Sequence, residues 1–115
     1  MAAVADTISN VQSRLLVPST ATKNQVITIK TLIQHPMYSG FTKDSSGKTI
    51  AREIIHSFTC TFNGQPVFAM DLNPAISANP FIEFPVKVDQ SGTFEFTWVD
   101  DNGATYKNQA QITVS

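Results

Sequence analysis

From Val26 to Val114 the apolar residues return at every second position, in short runs separated by turn-forming residues. A period of two belongs to β-strands, whose side chains alternate between faces, and it is incompatible with the 3.6-residue period of a helix. Residues 26 to 35 place Ile27, Ile29, Thr31 and Ile33 on one face and Val26, Thr28, Lys30 and Leu32 on the other. Residues 52 to 62 are expected to turn Ile54, His56, Phe58, Cys60 and Phe62 inward and Ile55, Ser57, Thr59 and Thr61 outward. Further on, Ile82, Phe84, Val86 and Val88 share a face, Phe94, Phe96 and Trp98 share another, and the last run carries Tyr106, Ala110, Ile112 and Val114.

The punctuation between these runs is equally specific. Asn63-Gly64 supplies the two positive φ values of a type I′ turn, and Asn102-Gly103 closes a second hairpin. Pro85 has no N–H to give a ladder, which assigns its strand to an edge or a bulge. The polar stretch from 36 to 51 has no apolar period and reads as an exposed loop. In the connector Leu72-Asn73-Pro74-Ala75-Ile76-Ser77-Ala78-Asn79-Pro80, two Asn-Pro steps six residues apart steer the backbone twice before the apolar strand that follows. Short strands, hairpins and no amphipathic helix predict an all-β fold, an immunoglobulin-like antiparallel β-sandwich of six or seven strands, with a small barrel as the competitor.

A chain of 115 residues is expected to be one domain that buries about 65% of its unfolded surface, enough for a core without staples. Residues 1 to 12, rich in Ala, Ser and Asn, are expected to be a flexible N-terminal segment, leaving residues 13 to 115 as the domain. A formal charge of −1, with no run of basic residues, provides no attraction for nucleic acid or an anionic membrane. The first residues lack the basic and apolar regions of a secretory signal, and no stretch approaches a membrane span; taken alone, this reads as cytoplasmic.

Candidate chemistry is sparse. Cys60 is the one thiol, so no internal disulfide and no paired-cysteine motif is available, and its parity with Phe58 and Phe62 predicts a buried, inert side chain. His56 is expected to be a hydrogen-bonded core residue and His35 a surface or corner residue, with either a turn role or a partner contact. A thiol enzyme built on His56 and Cys60 fails on distance, since residues four apart on a strand lie about 13 Å apart. Asp100-Asp101 belongs to a hairpin, because no further oxygen ligands follow at calcium-loop spacing. There is no phosphate loop, nucleophile elbow or zinc motif, so no catalytic residue, metal or cofactor is expected. Apolar residues on both faces, at Val26 and Leu32, at Ile55, and at Phe81 and Pro85, predict more apolar surface than one domain hides, unless residues 13 to 18 cover it.

Four segments, taken in order, resemble the SoxZ family, the small non-catalytic half of the SoxYZ sulfur carrier of thiosulfate oxidation. They are Thr31-Leu32-Ile33-Gln34-His35-Pro36-Met37 with Gly40-Phe41, Ile54 to Gly64, Leu72 to Val86, and Ser91 to Gly103. The resemblance implies a non-enzymatic subunit that forms a heterodimer with a SoxY-like subunit. The partner's cysteine, on a glycine-flanked terminal arm, carries the sulfur intermediates between the thiosulfate-oxidising enzymes, which this complex would contact transiently. It further implies a periplasmic location reached by co-export with a signal-bearing partner. Within the resemblance, the closing residues Gln111-Ile112-Thr113-Val114-Ser115 read as a strand without a cysteine, so this chain is expected to be the companion and not the carrier. On this reading the partner contacts are expected at His35, Pro36, Met37, Phe41, Asn79, Pro80 and Phe81, where proline-braced loops lose little entropy on docking. The alternative from another class is a free-standing immunoglobulin-like adhesion or assembly module unrelated to sulfur chemistry, which the fold alone supports equally.

Overall fold

A computed structural model describes residues 11–35, 37–38, 40–41, 43–73 and 79–115. The described residues form eight strands and no helix: β1 (Ser13–Leu16), β2 (Thr20–Ala21), β3 (Gln25–Ile33), β4 (Ile55–Phe62), β5 (Gln65–Asp71), β6 (Phe81–Val88), β7 (Gly92–Asp100) and β8 (Thr105–Val114). A three-stranded sheet, β1-β3-β6, faces a five-stranded sheet, β2-β8-β7-β4-β5, in an immunoglobulin-like sandwich. Every pairing is antiparallel except the two-residue match of β2 with β8. The short strands β1 and β2 go beyond the six or seven that alternation alone marks out. Both are too brief to show a period.

The core lies where the alternation put it. Ile27, Ile29, Thr31 and Ile33 of β3 and Ile82, Phe84, Val86 and Val88 of β6 point inward, against Phe58, Cys60 and Phe62 of β4 and Phe94, Phe96 and Trp98 of β7. Phe84 joins the two sheets. Its ring stacks on Phe68 of β5 at 4.2 Å and 7°, and meets Phe58 edge-on at 5.9 Å. Each such side chain contributes about 1.5–3 kcal/mol through burial, and the tilted or edge-on pairs add a little more.

The turns follow their residues. Asn63 (φ 51°) and Gly64 (φ 83°) link β4 to β5 as a type I′ pair. Between β7 and β8, Gly103 donates its N–H to Asp100 O at 3.0 Å and has φ 79°, so a tight turn ends in a left-handed glycine. β6, with Pro85, is an edge strand of the smaller sheet. Residues 13 to 16 do not lie over β3 as a second layer; they pair beside it, Ser13 opposite Ile33 and Leu16 opposite Lys30.

The expectation for His56 is overturned by a β-bulge. Ile55 pairs with Asp100 and Ser57 with Val99, so β4 carries one residue more than β7 at this point. The extra residue is His56, and the bulge reverses the alternation on its N-terminal side. His56 is therefore exposed, while Ile54 and Ile55 are both fully buried. A second bulge, between Cys60 and Thr61 on β4, sets Phe68 opposite Cys60 and Pro66 opposite Thr61, leaving Val67 partly exposed.

Candidate partner-binding surface

The residues singled out in the sequence separate into a corner that buries His35, Met37 and Pro80 beneath an exposed Asn79, and two exposed aromatic rings, Phe81 on β6 and Phe41 on a loop. His35 is 1% exposed, not at the surface: it continues the odd-numbered inward row of Ile27 to Ile33 past the end of β3. That parity is the signal for burial, and of the two alternatives, surface or corner, His35 takes the corner. The ring Nδ1 accepts the Met37 N–H at 2.9 Å, while Nε2 is buried with no hydrogen-bond partner. Burial lowers the His35 pKa from its ordinary 6.5, against the pull of Asp100 and Asp101 in the opposite direction.

Met37 is also buried. Its φ of 52° is unusual for a side chain of that size, and its sulfur accepts the Ile55 N–H at 3.2 Å. Asn79, with φ 55°, closes the corner from the other side: its N–H donates to His35 O at 2.7 Å and its Oδ1 accepts the His35 N–H at 2.9 Å. Asparagine is suited to both tasks, since it tolerates the left-handed region and carries a short acceptor. Pro80 is buried, and its carbonyl accepts the Ile33 N–H at 3.3 Å, extending the β3–β6 ladder by one bond. Pro36, and residues 74 to 78 of the connector, lie outside the described residues.

A second polar cluster seals the same end of the sandwich. Asp100 is 1% exposed and accepts from Asn102 N, Ala104 N and the Tyr106 hydroxyl, the last at 2.7 Å. Burial and this bond to Asp100 raise the Tyr106 pKa. Asp101 takes Arg52 at 2.9 Å and the Ile54 N–H at 3.2 Å, and Asn102 bonds Glu53. These carboxylates hold turns together, and among the described residues no group of three or more His, Cys, Asp or Glu is placed to hold a metal ion.

Cys60 is fully buried, and desolvation pushes its pKa up to about 12. His56 points to the opposite face. The two do not meet, and the thiol is not a nucleophile at neutral pH.

Among the described residues, three of the five large exposed apolar side chains, Leu16, Val26 and Phe81, lie on one sheet face. On the outer face of β1-β3-β6, Arg14, Leu32 and Phe81 form one cross-strand row and Leu16, Lys30 and Glu83 the next. Phe81 is 59% and Leu16 64% exposed, and together with Arg14, Leu15, Lys30, Thr31 and Leu32 they line a shallow cleft of about 150 Å³. Val26, 62% exposed, continues the face toward the far end of β3. Lys30 and Glu83 pair at 3.9 Å across it, too exposed to matter much for stability. Phe41, on the loop after Met37, is 86% exposed.

The class these features define is an immunoglobulin-like β-sandwich with Leu16, Val26 and Phe81 exposed on one mixed sheet face. The family model for the sulphur oxidation protein SoxZ matches residues 14–111, and the chain belongs to that family. No curated protein matches the sequence. Among solved structures, superoxide reductase (neelaredoxin) from Ignicoccus hospitalis is similar, with a TM-score of 0.68 and 14% identity over 90% of this chain and 80% of that one. The sulfur carrier protein SoxY from Chlorobium limicola f thiosulfatophilum has a TM-score of 0.60 and 12% identity over 94% of this chain and 81% of that one. A putative superoxide reductase from Thermotoga maritima aligns with a TM-score of 0.64 and 15% identity, over 90% and 85% of the two chains. At such identities these neighbours share the fold. The family membership places the chain among proteins of sulphur oxidation.

Proposed function

We propose that this chain is the non-catalytic half of a SoxYZ-type carrier, binding a SoxY-like subunit whose cysteine carries the sulfur intermediates. The observation that carries the reading is the uncovered apolar face around Phe81, Leu32 and Leu16, in a chain of the SoxZ family. Large exposed apolar side chains gathered on one sheet face, with charged residues around them, mark a binding surface. In the pairing, Phe81 is the central contact and Phe41 a peripheral one. His35, Met37, Asn79 and Pro80 fix the corner from which Phe81 enters β6. Residues 13–115 act as the folded unit, and the pair works in the periplasm after export on the partner's signal. The sealed clusters at Asp100 and Cys60 favour a role without chemistry of its own, and the enzymes that load and unload the partner's thiol are met transiently.

Calorimetric titration with a SoxY-like subunit tests this. A stoichiometric complex is expected, weakened at least tenfold, or about 1.4 kcal/mol, by Phe81→Asp. No binding by the unaltered chain, or unaltered binding by the variant, would respectively remove the partnership or the surface.

A further inference from the structure

The corner around His35 contains a proton-sensitive contact that the pairing does not use. Because Nδ1 accepts the Met37 N–H, that nitrogen is unprotonated and the neutral ring carries its proton on Nε2. Protonation would put a second N–H on Nδ1, pointing at the N–H of Met37. Two donors cannot share a hydrogen bond, so the contact has to open. The imidazolium would also gain no carboxylate bonded directly to it, and the field of Asp100 and Asp101 does not offset the burial of the ring. The carboxylates nearest in the field, Asp100 and Asp101 in the β7–β8 turn, are already taken, by Asn102, Ala104 and Tyr106 in one case and by Arg52 and Ile54 in the other.

The other elements packed around the ring offer no remedy. From β8, Tyr106 meets it edge-on with ring centroids 6.2 Å apart, and its hydroxyl is committed to Asp100. Glu53, from the strand-like segment before β4, is bonded to Asn102. Asn79 and Pro80 bring no charge, and Gln12, ahead of β1, bonds the main chain of Gln34. Met37 has the most to lose. Its left-handed backbone is held by the ring nitrogen at its N–H and by the Ile55 N–H at its sulfur, with the Tyr38–Glu53 bridge following directly.

We propose that His35 is an acid-operated latch: the neutral ring pins Met37 into the end of the sandwich, and the protonated ring releases Met37 and Tyr38 after it while the sheets stay folded. The sign agrees with the direction of the pKa. A histidine held neutral by burial withdraws its stabilisation as pH falls from the unfolded value near 6.5 through the lower folded one.

Nuclear magnetic resonance of the full chain between pH 8 and pH 4 tests it. The His35 ring should be the neutral Nε2–H tautomer at high pH and titrate with a midpoint below 6.5. The Met37, Tyr38 and Ile55 amides should move with that midpoint and exchange faster on its acid side, while Phe96 and Thr97 in the core of β7 hold still. His35→Asn keeps a short acceptor two residues before the Met37 N–H but does not titrate, so its Met37 and Ile55 amides should be flat over the same range. The latch is overturned if the Met37 and Ile55 amides of the unaltered chain ignore the His35 titration, or if they move only together with the whole core at one midpoint. The unaltered chain decides the matter even where the Asn variant does not fold.

Discussion

Asn79 holds His35 by both ends of one peptide residue, donating to its carbonyl at 2.7 Å and accepting from its N–H at 2.9 Å across 44 positions of sequence. Together the two bonds act as a one-residue strand pairing placed beyond the last ladder partners, Leu32 and Phe81. The side chain supplies one bond and the left-handed backbone the other, so no hydrophobic replacement can do both.

Substitutions at Asn79 should therefore rank by what they keep. Asn79→Asp retains the acceptor and costs least. Asn79→Gly retains the φ of 55° but leaves the buried His35 N–H without its partner, a loss of about 1–3 kcal/mol. Asn79→Ala loses the acceptor and strains the backbone as well, adding about 1 kcal/mol or more. Urea midpoints for the three variants give the order directly; an equal cost for Gly and Ala would mean that the left-handed backbone contributes nothing.

Met37 and Phe81 sit near the same corner and should respond oppositely to a charge. Met37 is buried and bonded through its sulfur, so Met37→Asp places a carboxylate in the core and should cost more than about 3 kcal/mol. Phe81 is 59% exposed, and Phe81→Asp should change stability by little more than about 1 kcal/mol while removing the centre of the apolar face. Thermal melts beside binding titrations separate the two, and a melting temperature equally depressed in both variants would assign Phe81 to the core.

Cys60 should be silent. It is fully buried and its thiol is held protonated, with a pKa near 12, so a disulfide exchange reagent should react with it only as fast as the fold opens. Labelling in denaturant against labelling in buffer measures this. Rapid stoichiometric reaction of the folded chain would contradict the packing.

How far the fold was legible follows from which signals are local. The rows Ile27 to Ile33, Ile82 to Val88 and Phe94 to Trp98 are each a plain alternation, and each points inward. Asn63-Gly64 and Pro85 named a turn and an edge through chemistry confined to one or two residues. His56 was misplaced because a bulge is a relation between strands: only the partner, Asp100 then Val99, shows that a residue has been skipped. β2 escaped notice for the same reason, two residues deriving their order from the end of β8. Of the candidate surface, Phe81 and Leu32 were readable as the wrong-face apolar residues of good strands. Arg14 and Leu16 were not, because only the pairing of β1 beside β3 brings them alongside.

Gly92 supplies the last prediction. A side chain at this position would run into the side chain of Asn63, whose Oδ1 accepts the Thr93 N–H at 2.9 Å and whose Nδ2 donates to Ser91 O at 3.3 Å. Gly92→Ala should displace that side chain and lose both bonds, costing about 1–3 kcal/mol at the tip of the β4–β5 hairpin. Asn63→Gly keeps the positive φ of the turn and removes the obstacle, so in its background Gly92→Ala should cost much less. The expected coupling between the two positions is about 0.5–3 kcal/mol by a double-mutant cycle in urea. Strictly additive costs would mean that Gly92 is required by its own backbone and not by the space that Asn63 fills.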